Sequence, residues 1–246
     1  MANMLENYLS TEAIAGYSLV ATTGDAGVLE DVLFDDRDGG VRYFVFRMSR
    51  WLPSDLLLLD PEEMGTIDHD ARQFSVPMTV EELEARPPIS TDPPVSRQKE
   101  AEVGPAMAHG YWSLLVTGDS SPDTDNDGNG SNSNPHLRSA REIKGYVLES
   151  REGETGRIAD LLFDQSGWCV KYLVVDVGVL MDKYQVLLGM DDVEAINWAK
   201  RSVSTSLLKS RIENGPAFDR DGQTASEKPR EVYDQFVALF EKKGAD

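Results

Sequence analysis

The sequence contains itself twice, and that limits its fold more than any other feature does. A shift of 129 residues lays residues 16–46, GYSLVATTGDAGVLEDVLFDDRDGGVRYFVF, over residues 145–175, GYVLESREGETGRIADLLFDQSGWCVKYLVV, without a gap. Gly16/Gly145, Tyr17/Tyr146, Gly24/Gly153, Gly27/Gly156 and Asp31/Asp160 coincide. So do Leu33-Phe34-Asp35 with Leu162-Phe163-Asp164, and Val41, Tyr43 and Val45 with Val170, Tyr172 and Val174. The register runs on through Leu58-Leu59/Leu187-Leu188, Ile67/Ile196, Arg72/Arg201, Glu84/Glu213 and Pro87/Pro216. Between Ile14 and Pro87 about 20 of about 74 pairs are identical, where chance supplies roughly 5. A small domain has been duplicated, and at 246 residues the chain has room for both copies.

Within a copy the pattern is short strands broken by turns. Residues 17–22 alternate, and Gly24-Asp25-Ala26-Gly27 supplies a turn, since glycine reaches positive φ without steric cost. Residues 28–34 form a second strand, and the polar stretch 35–40 is a hairpin loop. Residues 41–47 are β-branched and aromatic, which suits a strand buried on much of both faces. Further strands are expected at 56–59, 64–68 and 73–76, so that about six fall within roughly 60 residues, the pattern of a small closed barrel. Thr79-Val80-Glu81-Glu82 fits a capping box opening a short helix that Pro87-Pro88 ends. The second copy repeats this with strands near 147–150, 157–163, 169–176, 184–188, 193–197 and 202–205, and a helix over about 206–214.

The resulting expectation is a mainly β chain of two tandem small barrels with short helices. The first barrel occupies 1–90 and the second 136–220, joined by a largely flexible acidic linker over 91–135. Residues 1–13 read as a lead-in to the first barrel, with Leu5, Tyr8 and Leu9 covering one end. Within the linker, residues 107–116 with Tyr111 and Trp112 are apolar enough to dock. At the C-terminus, 221–246, an amphipathic helix is expected from Val232, Tyr233, Phe236, Val237, Leu239 and Phe240.

The G-Y…G…G…D-x-L-F-D signature and the apolar strand after it, V-R-Y-F-V-F or V-K-Y-L-V-V, resemble the PRC-barrel family. That module forms the cytoplasmic domain of the photosynthetic reaction centre H subunit and the C-terminal domain of RimM. The resemblance covers both copies and is closer to bacterial tandem PRC-barrel proteins without an assigned activity. Pro94-Val95-Ser96-Arg97-Gln98 resembles the segment after their first barrel, and His136-Leu137-Arg138-Ser139-Ala140-Arg141-Glu142 the lead-in to their second. It implies a β-barrel used as an interaction platform and not as a catalyst. The H subunit's membrane span and RimM's N-terminal domain have no counterpart here. The loops after the third strand also differ (49–55 against 178–184), so the two barrels are expected to present unlike faces.

Composition removes several partners. With a net charge of −19 and a pI near 4.5, the chain repels phosphate backbones and anionic membrane surfaces. No apolar run approaches the 18 or so residues of a membrane-spanning helix, and no signal sequence opens the chain, which together read as a cytoplasmic protein. Cys169 is the only cysteine, so no intrachain disulfide or thiolate cluster forms, and it reads as a half-buried inert thiol.

Candidate chemistry is sparse. Asp31/Asp160 lies mid-strand, where aspartate is disfavoured. A proton-relay carboxylate is one role; accepting backbone N–H bonds at a bend is the simpler one. Asp35/Asp164 reads as an Asx-turn residue and Arg72/Arg201 as a local ion-pair partner. Asp123, Asp125 and Asp127 in D-x-D-x-D-G match the first half of a calcium loop, but the twelfth position is Asn134 and no helices flank it. His69, His109 and His136 are scattered and form no i, i+4 metal pair. No catalytic, cofactor or metal residues are therefore assigned. The expected function is a non-enzymatic scaffold or adaptor, in stress response or beside a membrane complex, with a protein partner and peripheral membrane association open to it. Self-association, or pairing of the barrels within one chain, is the form a duplicated homodimer would take. Alternatives are an H-subunit-like protein of photosynthetic membranes and a weak calcium-responsive binder.

Overall fold

Residues with β-branched and aromatic side chains at alternating positions extend into strands, and the computed structural model describes them over residues 8–48, 56–86, 135–178 and 184–218. In chain order, β1 (Tyr8–Ser10) runs directly into the single turn α1 (Thr11–Ile14). β2 (Ser18–Ala21), β3 (Gly24–Asp35), β4 (Val41–Met48) and β5 (Leu56–Leu59) follow, then a 3-10 turn at Pro61–Glu63, β6 (Ile67–Asp68), β7 (Gln73–Ser75) and α2 (Val80–Glu84). The second copy opens with β8 (Leu137–Ser139) and α3 (Ala140–Ile143). It continues with β9 (Val147–Ser150), β10 (Gly153–Asp164), β11 (Cys169–Val177), β12 (Tyr184–Gly189), a 3-10 turn at Met190–Asp192, β13 (Val193–Asn197), β14 (Ser202–Thr205), α4 (Lys209–Glu213) and β15 (Ala217–Phe218). The protein is mainly β, as the strand pattern predicts. Residues 107–116, the Asp123–Asp127 run, the loops 49–55 and 179–183, and the expected helix after residue 221 lie outside the described residues.

The strands form two sheets in two compact units. In one unit, built from Ala15–Arg37 and Val41–Ser139, the order is β5-β4-β3-β2-β7-β6 with β8 added on β3. In the other, built from Met1–Ile14, Asp38–Gly40 and Ala140–Asp246, it is β13-β14-β9-β10-β11-β12-β15 with β1 added on β10. Neighbours are antiparallel except β2/β7 and its repeat β9/β14, which are parallel. Closed barrels were expected. Among the described residues neither path returns to its first strand: one ends on β5 and β6, the other on β13 and β15.

The lead-ins are where the sequence-based division needs correcting. Residues 8–14 do not complete the copy they precede: β1 pairs with β10, Tyr8 opposite Asp164 and Ser10 opposite Leu162. Reciprocally, β8 pairs with β3, Leu137 opposite Asp35 and Ser139 opposite Leu33. Sequence adjacency suggests the wrong owner because a three-residue strand goes where apolar surface and hydrogen-bond partners await it.

The long strands make this possible. β3 pairs with β4 along one edge, and on the other edge β2 takes Gly24–Val28 while β8 takes Leu33–Asp35. Register shifts at Leu29/Asp31 and Leu33/Phe34 bend it, and shifts at the same places, Ile158/Asp160 and Leu162/Phe163, bend β10. The glycine stretch predicted as a turn is instead the start of this strand; the turn falls at Thr22-Thr23. Gly24 and Gly153 open their strands at φ 133° and 105°, where a side chain is strained. Gly27 and Gly156 serve differently: a Cβ there would stand 2.4 Å from the carbonyl oxygen of Arg47 or Asp176 on the neighbouring strand.

Each unit buries apolar side chains on two faces of its sheet. Phe34, Phe44, Phe46, Leu57, Leu59 and Phe74 are fully buried in the first copy's core. Phe74 lies 5.5 Å from Phe44 and 6.0 Å from Phe46, centroid to centroid. Each such ring contributes about 2–3 kcal/mol by burial, with a further gain from tilted ring contacts. A smaller cluster on β3–β5, Leu33, Val45 and Leu58, is completed by Leu137 of β8. Its counterpart, Leu162, Val174 and Leu187, is flanked by Tyr8 of β1.

Candidate functional site

The duplicated aspartate sits at the bulge where one strand edge passes from its first neighbour to the lead-in strand. Asp160 is fully buried. Its Oδ2 accepts the Ser10 hydroxyl, and its Oδ1 accepts the Thr11 hydroxyl at 2.6 Å, the Glu12 N–H at 3.1 Å and the Leu161 N–H at 2.8 Å. Ser10 Oγ also accepts the Ala13 N–H at 3.0 Å, capping the turn of α1. Strand, cap and turn are thus tied to one carboxylate. Asp31 repeats the arrangement, taking the Ser139 hydroxyl and, at 2.8 Å, the Val32 N–H.

This is the backbone-accepting role weighed for Asp31/Asp160, extended by a hydroxyl from the other copy's lead-in. A buried acceptor left without donors costs about 1–3 kcal/mol, more when charged. The carboxylate therefore discriminates between a lead-in bearing serine at this register and an apolar one. Ser10 and Ser139 were not singled out by sequence reasoning, although the signal was present: they coincide under the same 129-residue shift, just upstream of Ile14/Ile143.

Around this shared core the two stations differ. On β3, Asp36 at the end of the strand holds β8 by its charge, with His136 Nδ1 at 3.0 Å and Arg138 Nε at 2.5 Å. On β10 the equivalent of Asp36 is Gln165, and β1 docks through Tyr8 packed edge-on to Tyr172 at 5.4 Å. Lys144 Nζ meets Glu12 at 2.8 Å in the same unit.

The remaining candidates fall into structural roles. Asp35 Oδ1 accepts the Arg37 N–H at 3.1 Å, and Asp164 Oδ1 the Ser166 N–H at 3.0 Å, the i to i+2 geometry of an Asx turn. Asp35 is buried and also meets the guanidinium groups of Arg37 at 2.9 Å and Arg42 at 3.4 Å. Burial pushes the Asp164 carboxyl up, but the Ser166 N–H and hydroxyl and the nearby Lys171 outweigh it, leaving it below the usual carboxylate range. Arg72 and Arg201 were expected as local ion-pair partners, but among the described residues neither meets a carboxylate. Each adopts positive φ, 55° and 52°, and lies over a tyrosine ring, 4.8 Å from Tyr17 and 5.6 Å from Tyr146.

His69 Nδ1 approaches the Tyr17 hydroxyl at 3.4 Å, and His136 belongs to the β8 station; His109 and Asp123, Asp125 and Asp127 lie outside the described residues. The Cys169 thiol is partly buried and donates to the Asp38 carbonyl at 3.3 Å. Among the described residues no three His, Cys, Asp or Glu side chains gather as metal ligands, and no helix is long and apolar enough to cross a membrane. No family model matches the sequence, and no curated protein matches it.

Proposed function

We propose that the protein is a non-enzymatic interaction scaffold or adaptor of the cytoplasm, built from two PRC-barrel-like units. The observation that supports this reading is the spending of the duplicated polar positions. Asp31/Asp160 hold lead-in strands, Asp35/Asp164 close hairpin turns, and Arg72/Arg201 cover tyrosine rings. A catalytic carboxylate needs a partner group and access to substrate, and the fully buried Asp160 has neither role free. What the duplication leaves for function is surface, strongly acidic and carried on two copies that differ in their loops.

Cross-linking in the native cell followed by mass spectrometry tests the reading. A partner recovered at constant stoichiometry, cross-linked repeatedly to the same few lysines, is the expected result. Recovery of the chain alone, or turnover of a metabolite by the purified protein, would overturn it. Co-purification with pigmented membranes would direct the scaffold role to a photosynthetic complex.

A further inference from the structure

Three features of the lead-ins bear on what these strand edges recognise. The first is that ownership does not follow the chain. Each edge takes the lead-in of the other copy, although its own lead-in, with serine and isoleucine in the same places, is attached directly to it. Local connectivity therefore does not set ownership, and the contacts that differ between the edges are those of His136 and Arg138 on Asp36 and of Tyr8 on Tyr172. The second is that a three-residue strand has little backbone pairing of its own, so affinity must come from its side chains. On β10 these are Ser10 and Thr11 on Asp160, Leu9 and Ile14 in the interior, and Tyr8 on Tyr172. On β3 they are Ser139 on Asp31, Leu137 in the apolar cluster, and Arg138 and His136 on Asp36. The third is the cost of vacancy, since removal of β1–α1 would strip the fully buried Asp160 of three of its donors, Ser10, Thr11 and Glu12.

We propose that the edges of β3 and β10 beside Asp31 and Asp160 are strand-addition sites, that their ligand is the serine-bearing lead-in of this same chain, and that a second copy can supply it. Addition of a short strand to a sheet edge, with alternate side chains giving specificity, is an established mode of peptide recognition. Exchange of an identical element between copies needs no new contact, only a chain that can enter from elsewhere. Both lead-ins are followed by a glycine at positive φ, Gly16 at 75° and Gly145 at 86°, with open space around the missing Cβ. Each glycine N–H is tied to the sheet of its own copy, Gly16 to the Leu29 carbonyl at 2.9 Å and Gly145 to the Ile158 carbonyl at 2.7 Å, so the lead-in can turn away before that anchor without displacing a side chain at the glycine.

The test uses the full chain, carrying a protease site within residues 87–134, folded first and cut afterwards. The expected result is that the two halves elute together, because 8–14 remain on the sheet of the C-terminal half and 137–139 on the sheet of the N-terminal half. Tagged and untagged cut proteins are then mixed. Hybrids carrying a tagged N-terminal half on an untagged C-terminal half are expected to accumulate. With Ser10→Ala and Ser139→Ala together, exchange should be faster by about tenfold or more, the effect of losing hydrogen bonds to carboxylates. Halves that separate on cutting would overturn the proposal. So would an absence of hybrids in both proteins, or exchange that is indifferent to the two serines.

Discussion

One side chain in each copy, Asp31 and Asp160, ties the lead-in strand to the sheet it joins. Asp160 is the more deeply placed of the two, fully buried where Asp31 is half-buried. Asp160→Ala would leave the hydroxyls of Ser10 and Thr11 and the N–H of Glu12 without this acceptor. The expected loss is about 3 kcal/mol in denaturant unfolding. Asp31→Ala should cost less, because the Asp31 side chain is half-buried and keeps part of its hydration in the fold; equal losses would show that burial is not what gives Asp160 its weight. Asp164 provides a test by pH. Its carboxyl is held below the ordinary value of 3.8 in the fold, so the stability it contributes is present above that value and is lost as pH falls through its own lower midpoint. Ser166→Ala removes the hydroxyl that donates at 2.8 Å, and an NMR titration should then show the Asp164 midpoint moving up towards 3.8. An unmoved midpoint would mean that the hydroxyl does not set it.

At the scale of elements, β3 and β10 carry the design, and their glycines are its narrowest points. Gly27→Ala and Gly156→Ala would drive a methyl against backbone carbonyls of β4 and β11 at 2.4 Å, with no flexible side chain to yield. Each should destabilise its own unit by about 2 kcal/mol or more, measured as a lower unfolding midpoint. Substitution at Gly24 meets no atom and should cost only the strain of its φ.

These strands also show what could be read in advance. The β-branched and aromatic run 41–47 and the apolar run 56–59 predict β4 and β5 closely, and Thr79 with Glu82 predicts the capping box that opens α2. The full twelve residues of β3 were not legible, because Gly24 and Gly27 carry the chemistry of a turn and are kept for strain and for close strand approach. Nor was the role of Arg72 and Arg201, since an arginine over a ring leaves no sequence period. The owner of each lead-in was hidden for a third reason. A pairing between Ser10 and Asp160 has no local pattern; only the coincidence of Ser10 with Ser139 hints that the repeat extends upstream.

For the whole molecule, the exchange makes the stability of the C-terminal copy depend on the N-terminal end of the chain. Removal of residues 1–10 would take β1 from β10, withdraw Tyr8 and Leu9 from the apolar cover, and leave Asp160 without Ser10. If each copy were completed by its own lead-in, this truncation would weaken β3 and β4 instead. Native-state hydrogen exchange separates the two cases, because amide protection reports the opening of each sheet individually. The expected outcome is lost protection at Leu161–Val175, around 150 residues downstream of the deletion, while residues 28–34 and 41–47 keep theirs. Restoration by the deleted residues added as a peptide would show that the edge reads the strand itself. Loss confined to the N-terminal copy would return each lead-in to its own repeat and remove the basis for exchange between chains.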